Sequence, residues 1–156
     1  PDDMTTRWLT EREQKSWRRF ITTVHDLMGA LEADLAPHGI TMGDYELLVW
    51  LSESPEERMR MCDLAGVLQL SPSGLTRRLD GLVRSGLVER ESCPSDRRVA
   101  WAHLTAKGRS KMEFAAADHV ESVRRHVLDP LGPTGVAQLG NIFGRLGDHL
   151  SKEKQA

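Results

Sequence analysis

The chain is predicted to be mainly α with one small β-hairpin, on three observations. Apolar residues recur at three- and four-residue steps over most of its 156 residues, the pattern of helices that bury one stripe. Two alternating runs, Leu87–Glu91 and Val99–Leu104, flank a turn at Pro94-Ser95-Asp96-Arg97-Arg98, which reads as a hairpin. A short basic helix carrying Arg77 and Arg78 stands directly before that hairpin. A basic helix followed by a basic hairpin is the arrangement of a winged helix-turn-helix, here flanked by N- and C-terminal helices.

Taken in order, Thr10-Glu11-Arg12-Glu13 is a capping box that opens a long helix. Trp17, Phe20, Ile21, Val24, Leu27, Met28, Leu31 and Leu35 form its apolar stripe, and Pro37-His38-Gly39 ends it. Thr41 caps a second helix, apolar nearly all round through Tyr45, Leu47, Leu48, Val49, Trp50 and Leu51, and therefore predicted at the buried centre. Met59-Arg60-Met61 is a short extended candidate, followed by a short helix with Leu64, Ala65 and Leu68 inward. Ser71-Pro72 is a strong helix start, with Ser as N-cap and Pro at the first helical position. Leu75, Leu79, Leu82 and Val83 make that helix's inner face and Gly86 its stop. Ser73, Thr76, Arg77, Asp80 and Arg84 are left to point outward. After the hairpin, Thr105 caps a long helix reaching Leu128, closed by Asp129-Pro130. A last helix runs from about Thr134 to Leu150, its stripe interrupted by Gly135, Gly140, Gly144 and Gly147, which lower its intrinsic stability and leave room for close helix approach.

The 156 residues are expected to form a single unit, with residues 41–104 as the winged helix-turn-helix and residues 10–36 and 106–151 as mainly dimerisation helices. The stripes of the first and last helices are more than one small domain can bury, and a second copy would cover them. A twofold dimer would set two reading helices about one DNA turn apart, roughly 34 Å.

The formal net charge is −2, which by itself gives no support to nucleic-acid binding. Its distribution does: residues 71–110 hold eight Arg or Lys against four Asp or Glu, and residues 1–70 hold seven against thirteen. The local excess lies where phosphate contact would need it. No apolar run approaches the roughly 20 residues of a membrane span, and the polar N-terminus shows no signal peptide. Cys62 and Cys93 suggest no disulfide framework, so a cytoplasmic location is expected.

Several segments carry a resemblance. Asp63-Leu64-Ala65, Leu70-Ser71-Pro72-Ser73-Gly74-Leu75-Thr76-Arg77, Gly86-Leu87-Val88-Glu89-Arg90, Asp96-Arg97-Arg98 and Leu104-Thr105-Ala106-Lys107-Gly108 are similar to the pattern of the MarR (multiple antibiotic resistance regulator) family. The resemblance runs from about Thr10 to Leu150. It implies a homodimeric winged-helix transcriptional regulator, usually a repressor. Such a protein releases DNA when a small, often aromatic, molecule or an oxidant acts on it.

On this reading the partner is double-stranded DNA at a pseudo-palindromic operator. Arg77 on the outward face is the candidate base-edge or phosphate contact; a bidentate arginine–guanine pair is worth about 1–3 kcal/mol. Ser71, Ser73 and Thr76 suit phosphate or base contacts near a helix N-terminus, and for Ser71 capping alone is a sufficient role. Arg78 lies toward the side of the helix and is expected on backbone phosphate. In the wing, Asp96 can hold an arginine by a charge-assisted hydrogen bond. The family pattern points to Arg98 as the residue inserted in the minor groove, where narrow width concentrates negative potential, with Arg97 on phosphate.

Trp17, Trp50 and Trp101 are candidates for an effector pocket, against a plainer role in core and interface packing. Cys93, near Arg90, Arg97 and Arg98, is a candidate redox thiol. The oxidant sensors of the family, however, carry their cysteine in the first long helix, where this chain has none. His119 and His126, seven apart with Asp118 and Glu121 near, lack the spacing of a zinc site; no metal and no cofactor is expected. Neither a nucleophile elbow nor a glycine-rich phosphate loop occurs, so no enzyme activity is expected. Two alternatives stand beside the DNA reading: a redox-responsive regulator using Cys93, and a winged-helix module that binds protein.

Overall fold

A computed structural model describes residues 6–93, 95, 96 and 98–154. Helix α1, Glu11–Leu35, opens on the capping box: the Glu13 N–H donates to Thr10 Oγ1 at 3.3 Å and the Thr10 N–H to Glu13 Oε2 at 2.7 Å. It ends through a short turn at Gly39, whose φ of 70° is in the left-handed region that glycine tolerates. Helix α2, Met42–Glu53, is capped reciprocally by Thr41 and Asp44. It buries Tyr45, Leu47, Leu48 and Leu51 and so occupies the centre, in keeping with its all-round apolarity.

Strand β1, Arg58–Arg60, leads into α3, Met61–Val67. Helix α4, Pro72–Arg84, starts with the Gly74 N–H donating to Ser71 Oγ at 3.1 Å and Pro72 in the first turn. Strands β2, Val88–Ser92, and β3, Ala100–Leu104, are antiparallel, with β1 on the other side of β3. The register pairs Val88 with Leu104 and Arg60 with Trp101. Leu35, Leu47, Leu48, Leu51, Leu64, Leu75, Leu79, Val88 and Leu104 are fully buried together, with Met112 and Ala115 of the following helix closing the core.

Helix α5, Ala106–Val123, is the arm that leaves this core. Its start is built by one threonine and one glycine. Thr105 Oγ1 donates to the Gly86 carbonyl at 2.7 Å and accepts the Gly108 N–H at 2.9 Å, while the Thr105 N–H reaches the Leu87 carbonyl at 3.2 Å. A Cβ on Gly108 would land on the Leu87 carbonyl oxygen. The Leu-Thr-x-x-Gly run is thus a clamp between the end of α4 and the start of α5. Lys107 Nζ reinforces it, donating to the Ser85 carbonyl at 2.7 Å.

The exit of α5 differs from the expected stop at Asp129-Pro130. The chain stays helical through Arg124–Leu128 in a widened π turn, in which the Asp129 N–H reaches back to the Arg124 carbonyl. Pro130 has no N–H to give and its ring crowds the carbonyl one turn back. Widening the preceding turn accommodates it without breaking the helix. The break falls two residues later, at Gly132, with φ 64° and ψ 175° inside the segment Asp129–Glu153, here α6.

Polar ties fasten the end of α1 to α5. Asp34 Oδ2 accepts from Ser122 Oγ at 2.5 Å and Arg125 Nη2 at 2.7 Å, and lies 3.0 Å from His126 Nε2. Buried His38 places Nε2 2.7 Å from Asp118 Oδ2. Helix α6, by contrast, buries no residue. Between it and α1 lies an apolar groove of about 1570 Å³, lined among others by Val24, Leu27, Met28, Val136 and Leu139, with the Phe20 and Phe143 rings 5.8 Å apart. Among the described residues no helix is long and apolar enough to cross a membrane.

Candidate nucleic-acid interface

Inward leucines at 75, 79 and 82 fix how α4 is turned. With that face committed to the core, Ser71, Ser73, Thr76 and Arg77 are exposed along the other. Two of the hydroxyls are already engaged locally. Ser71 Oγ lies 3.2 Å from Ser73 Oγ, and Thr76 Oγ1 donates to the Pro72 carbonyl at 2.9 Å. Each oxygen keeps lone-pair capacity, and the hydroxyl hydrogens can rotate toward a new acceptor. Arg77 extends from this face with no ion pair among the described residues. Arg78 is different: it is half-buried, and its guanidinium occupies the place a Cβ of Gly43 would take in the first turn of α2. Its position joins α4 to α2.

The wing is locked to α4 by Arg90 and Asp80, a pair that the sequence pattern alone does not join. Arg90 Nη2 donates to Asp80 Oδ1 at 2.6 Å and to the Thr76 carbonyl at 3.3 Å. A signal for it exists. Strand alternation puts Arg90 on the same face as buried Val88, toward α4, while Asp80 is an acid on the helix flank. The bond holds the strand that leads into the hairpin against the flank of α4.

At the tip, Asp96 Oδ1 accepts both the Arg98 backbone N–H at 3.0 Å and Arg98 Nε at 3.2 Å. The Val99 N–H closes the turn on the Asp96 carbonyl at 3.0 Å. The Arg98 side chain is 91% exposed, so a cation is presented on a braced stem, its terminal nitrogens without a hydrogen-bond partner among the described residues. Arg97, assigned to phosphate from sequence, and Pro94 lie outside the described residues. Cys93, half-buried at the base of the tip, has its Sγ 3.1 Å from Ser95 Oγ. The Ser95 hydroxyl, then the backbone N–H groups of Ser95 and Asp96, hold its thiol below the ordinary value of 9.0.

The three tryptophans are not brought together. Trp17 lies beside Phe20 on α1, with ring centroids 5.8 Å apart. Trp101 sits between two arginines, with Arg58 and Arg60 guanidinium carbons 5.0 and 5.4 Å from its ring. Trp50 is on α2, and none of the three lines the groove between α1 and α6.

A helix presented by a leucine core with a braced hairpin at its side defines a winged helix-turn-helix protein, here flanked by long N- and C-terminal helices. The sequence profile of the MarR family matches residues 40–100. The crystal structure of AbsC, a MarR family transcriptional regulator from Streptomyces coelicolor, is similar at 44% identity and a TM-score of 0.88, over 94% of this chain and 99% of that one. Sco3205, another MarR family regulator of that organism, solved in complex with DNA, is similar at 38% identity and a TM-score of 0.88, over 93% and 92% of the two chains. The transcriptional repressor YetL of Bacillus subtilis is 28% identical over 119 residues, 74% of this chain and 71% of that protein. The chain belongs to the MarR family of transcriptional regulators.

Proposed function

We propose that the protein is a homodimeric repressor that binds a pseudo-palindromic DNA operator and is released by a small-molecule effector. The observation that carries this reading is the joint placement of Ser73, Thr76 and Arg77 on an exposed helix face with a braced, exposed Arg98 beside it, the two linked through Arg90 and Asp80. On this reading α4 enters the major groove while the wing reaches the flanking minor groove. Ser71, Ser73 and Thr76 supply hydroxyls near the N-terminus of α4, Arg77 the base-edge contact, and Arg97 and Arg98 the wing cations, with Asp96 as brace. Arg78 positions α4 from its seat on Gly43. The DNA complex of Sco3205 and the repressor YetL support the partner and the sense of regulation. Because the duplex fixes half-site spacing, an effector acts by changing the separation of the two α4 helices.

Fluorescence anisotropy tests this reading, with a duplex flanking the protein's own gene and a shuffled duplex. Wild type is expected to prefer the native duplex, with affinity falling steeply as salt rises. Arg77→Ala is expected to weaken native binding by about 1–3 kcal/mol per half-site and to narrow the preference. Equal, feeble binding of wild type to both would favour a protein-binding winged helix instead.

One observation favours a second reading, a redox-responsive regulator. The Cys93 thiol is held toward its thiolate by Ser95 and two backbone N–H groups, which favours oxidation. Peroxide that releases wild type but not Cys93→Ser from DNA would support it; equal responses would remove it.

A further inference from the structure

The far end of α6 returns to the DNA-reading unit. Lys154, which caps the helix, donates from Nζ to Gln69 Oε1 at 3.3 Å. Gln69 stands in the turn between α3 and α4, with φ 53°, two residues before the Ser71 cap of α4. In helix-turn-helix docking the first helix crosses the phosphate backbone and the second enters the groove by its N-terminal residues. The turn between them therefore lies at the groove's edge, and a lysine tethered there is within side-chain reach of phosphate. Lys152 and Lys154 are both exposed, and neither has an ion pair among the described residues. The acid between them, Glu153, is occupied elsewhere, 3.4 Å from His149 one turn back. The end of the helix thus presents two exposed cations, neither in a side-chain ion pair among the described residues.

We propose that the far end of α6 is a third DNA-contacting element: Lys154, with Lys152 behind it, binds a backbone phosphate beside the start of α4. This inference rests on the DNA-binding reading above. It gives an element of the proposed dimer interface a direct hold on the duplex. A shift of α6 would then be felt at the phosphate backbone as well as through the spacing of the reading helices.

Two substitutions separate a phosphate contact from a mere strut. Lys154→Gln keeps a donor for Gln69 and removes the charge, whereas Lys154→Arg keeps the charge. Anisotropy titrations over a salt series, with thermal melts confirming that each variant folds, would use the operator duplex and its shuffled counterpart. Lys154→Gln is expected to weaken both complexes by the same several-fold factor. In the proposed dimer, which carries each residue twice, it should also reduce the slope of log affinity against log salt by about two, and combining it with Lys152→Gln by about four. Lys154→Arg should keep the wild-type slope. A wild-type slope in Lys154→Gln, whatever its affinity, would overturn the inference while leaving the DNA reading intact. Failure of wild type to bind any duplex would overturn both.

Discussion

His119 shows how one side chain can make the junction between α2 and α5 sensitive to pH. Its ring lies against Tyr45, with centroids 4.7 Å apart, and its Nδ1 is buried without a hydrogen-bond partner. Burial pushes its pKa below the ordinary 6.5, because an imidazolium there would lose water and gain no acceptor. The unfolded chain takes up this proton as pH falls through about 6.5, and the folded chain resists it. Stability is therefore full above that pH and declines below it. The neighbouring acid Asp34 works in a different window. Its carboxyl is held below 3.8, first by the Ser122 hydroxyl and then by His126, with Arg125 adding to both. Its contribution is lost only as pH falls below about 4. His119→Phe keeps a ring against Tyr45 and removes the titration. Urea unfolding at pH values of about 7.5 and 5.5 should show a larger loss of midpoint in wild type than in the variant. Equal losses would mean that His119 does not carry the effect.

At the scale of elements, the junction between α4, β2 and α5 depends on Gly108. The blocking atom is the Leu87 carbonyl oxygen, part of the backbone that the Thr105 N–H also uses. It cannot rotate aside as the Arg78 side chain can beside Gly43. Gly108→Ala is expected to destabilise the fold by about 1–3 kcal/mol, as overpacking does, read by denaturant unfolding. Gly43→Ala should cost little stability and instead unseat Arg78. Local chemistry of this kind is largely legible in sequence. Thr10 with Glu13, Thr41, Ser71-Pro72 and Thr105 mark four helix starts, because a cap and its partner lie within one turn. The leucine spacing of α4 likewise shows which face is free. What was not legible depends on partners distant in sequence. Arg90 finds Asp80 ten residues away, across a strand and a helix. The guanidinium of Arg78 finds its seat because a residue 35 positions earlier is a glycine. Lys154 meets Gln69 across 85 positions. Pro130 reads as a stop in the sequence, which does not show that a widened turn can absorb a proline.

The whole molecule has a core at one end and little holding the other. Helix α6 contributes nothing to the core, and Ile142, Phe143 and Leu146 are 55%, 42% and 46% exposed. Its glycines at 140, 144 and 147 have open space where a Cβ would be, and each costs a helix about 1 kcal/mol relative to alanine. In the proposed dimer a helix so composed, packed mainly along one open groove, would gain its order from a partner surface. Small residues beside large apolar ones are what close helix–helix contact needs. The face of α1 across the groove, with Phe20, Val24 and Met28, supplies matching apolar surface, and patches of this extent mark interfaces. In the proposed dimer, each copy's α1 and α6 would be covered by the other's. Stability would then rise with protein concentration, since association stabilises only the folded chain. Phe143→Glu places a charge where the Phe20 and Phe143 rings meet. Sedimentation should find this variant monomeric at concentrations where wild type is dimeric, with its melting temperature no longer dependent on concentration. On DNA it should bind a single half-site as weakly as it binds two, because α4 and the wing remain intact while the link that joins two reading heads is gone. A variant that stays dimeric would place the interface elsewhere and leave the α1–α6 groove without its proposed partner.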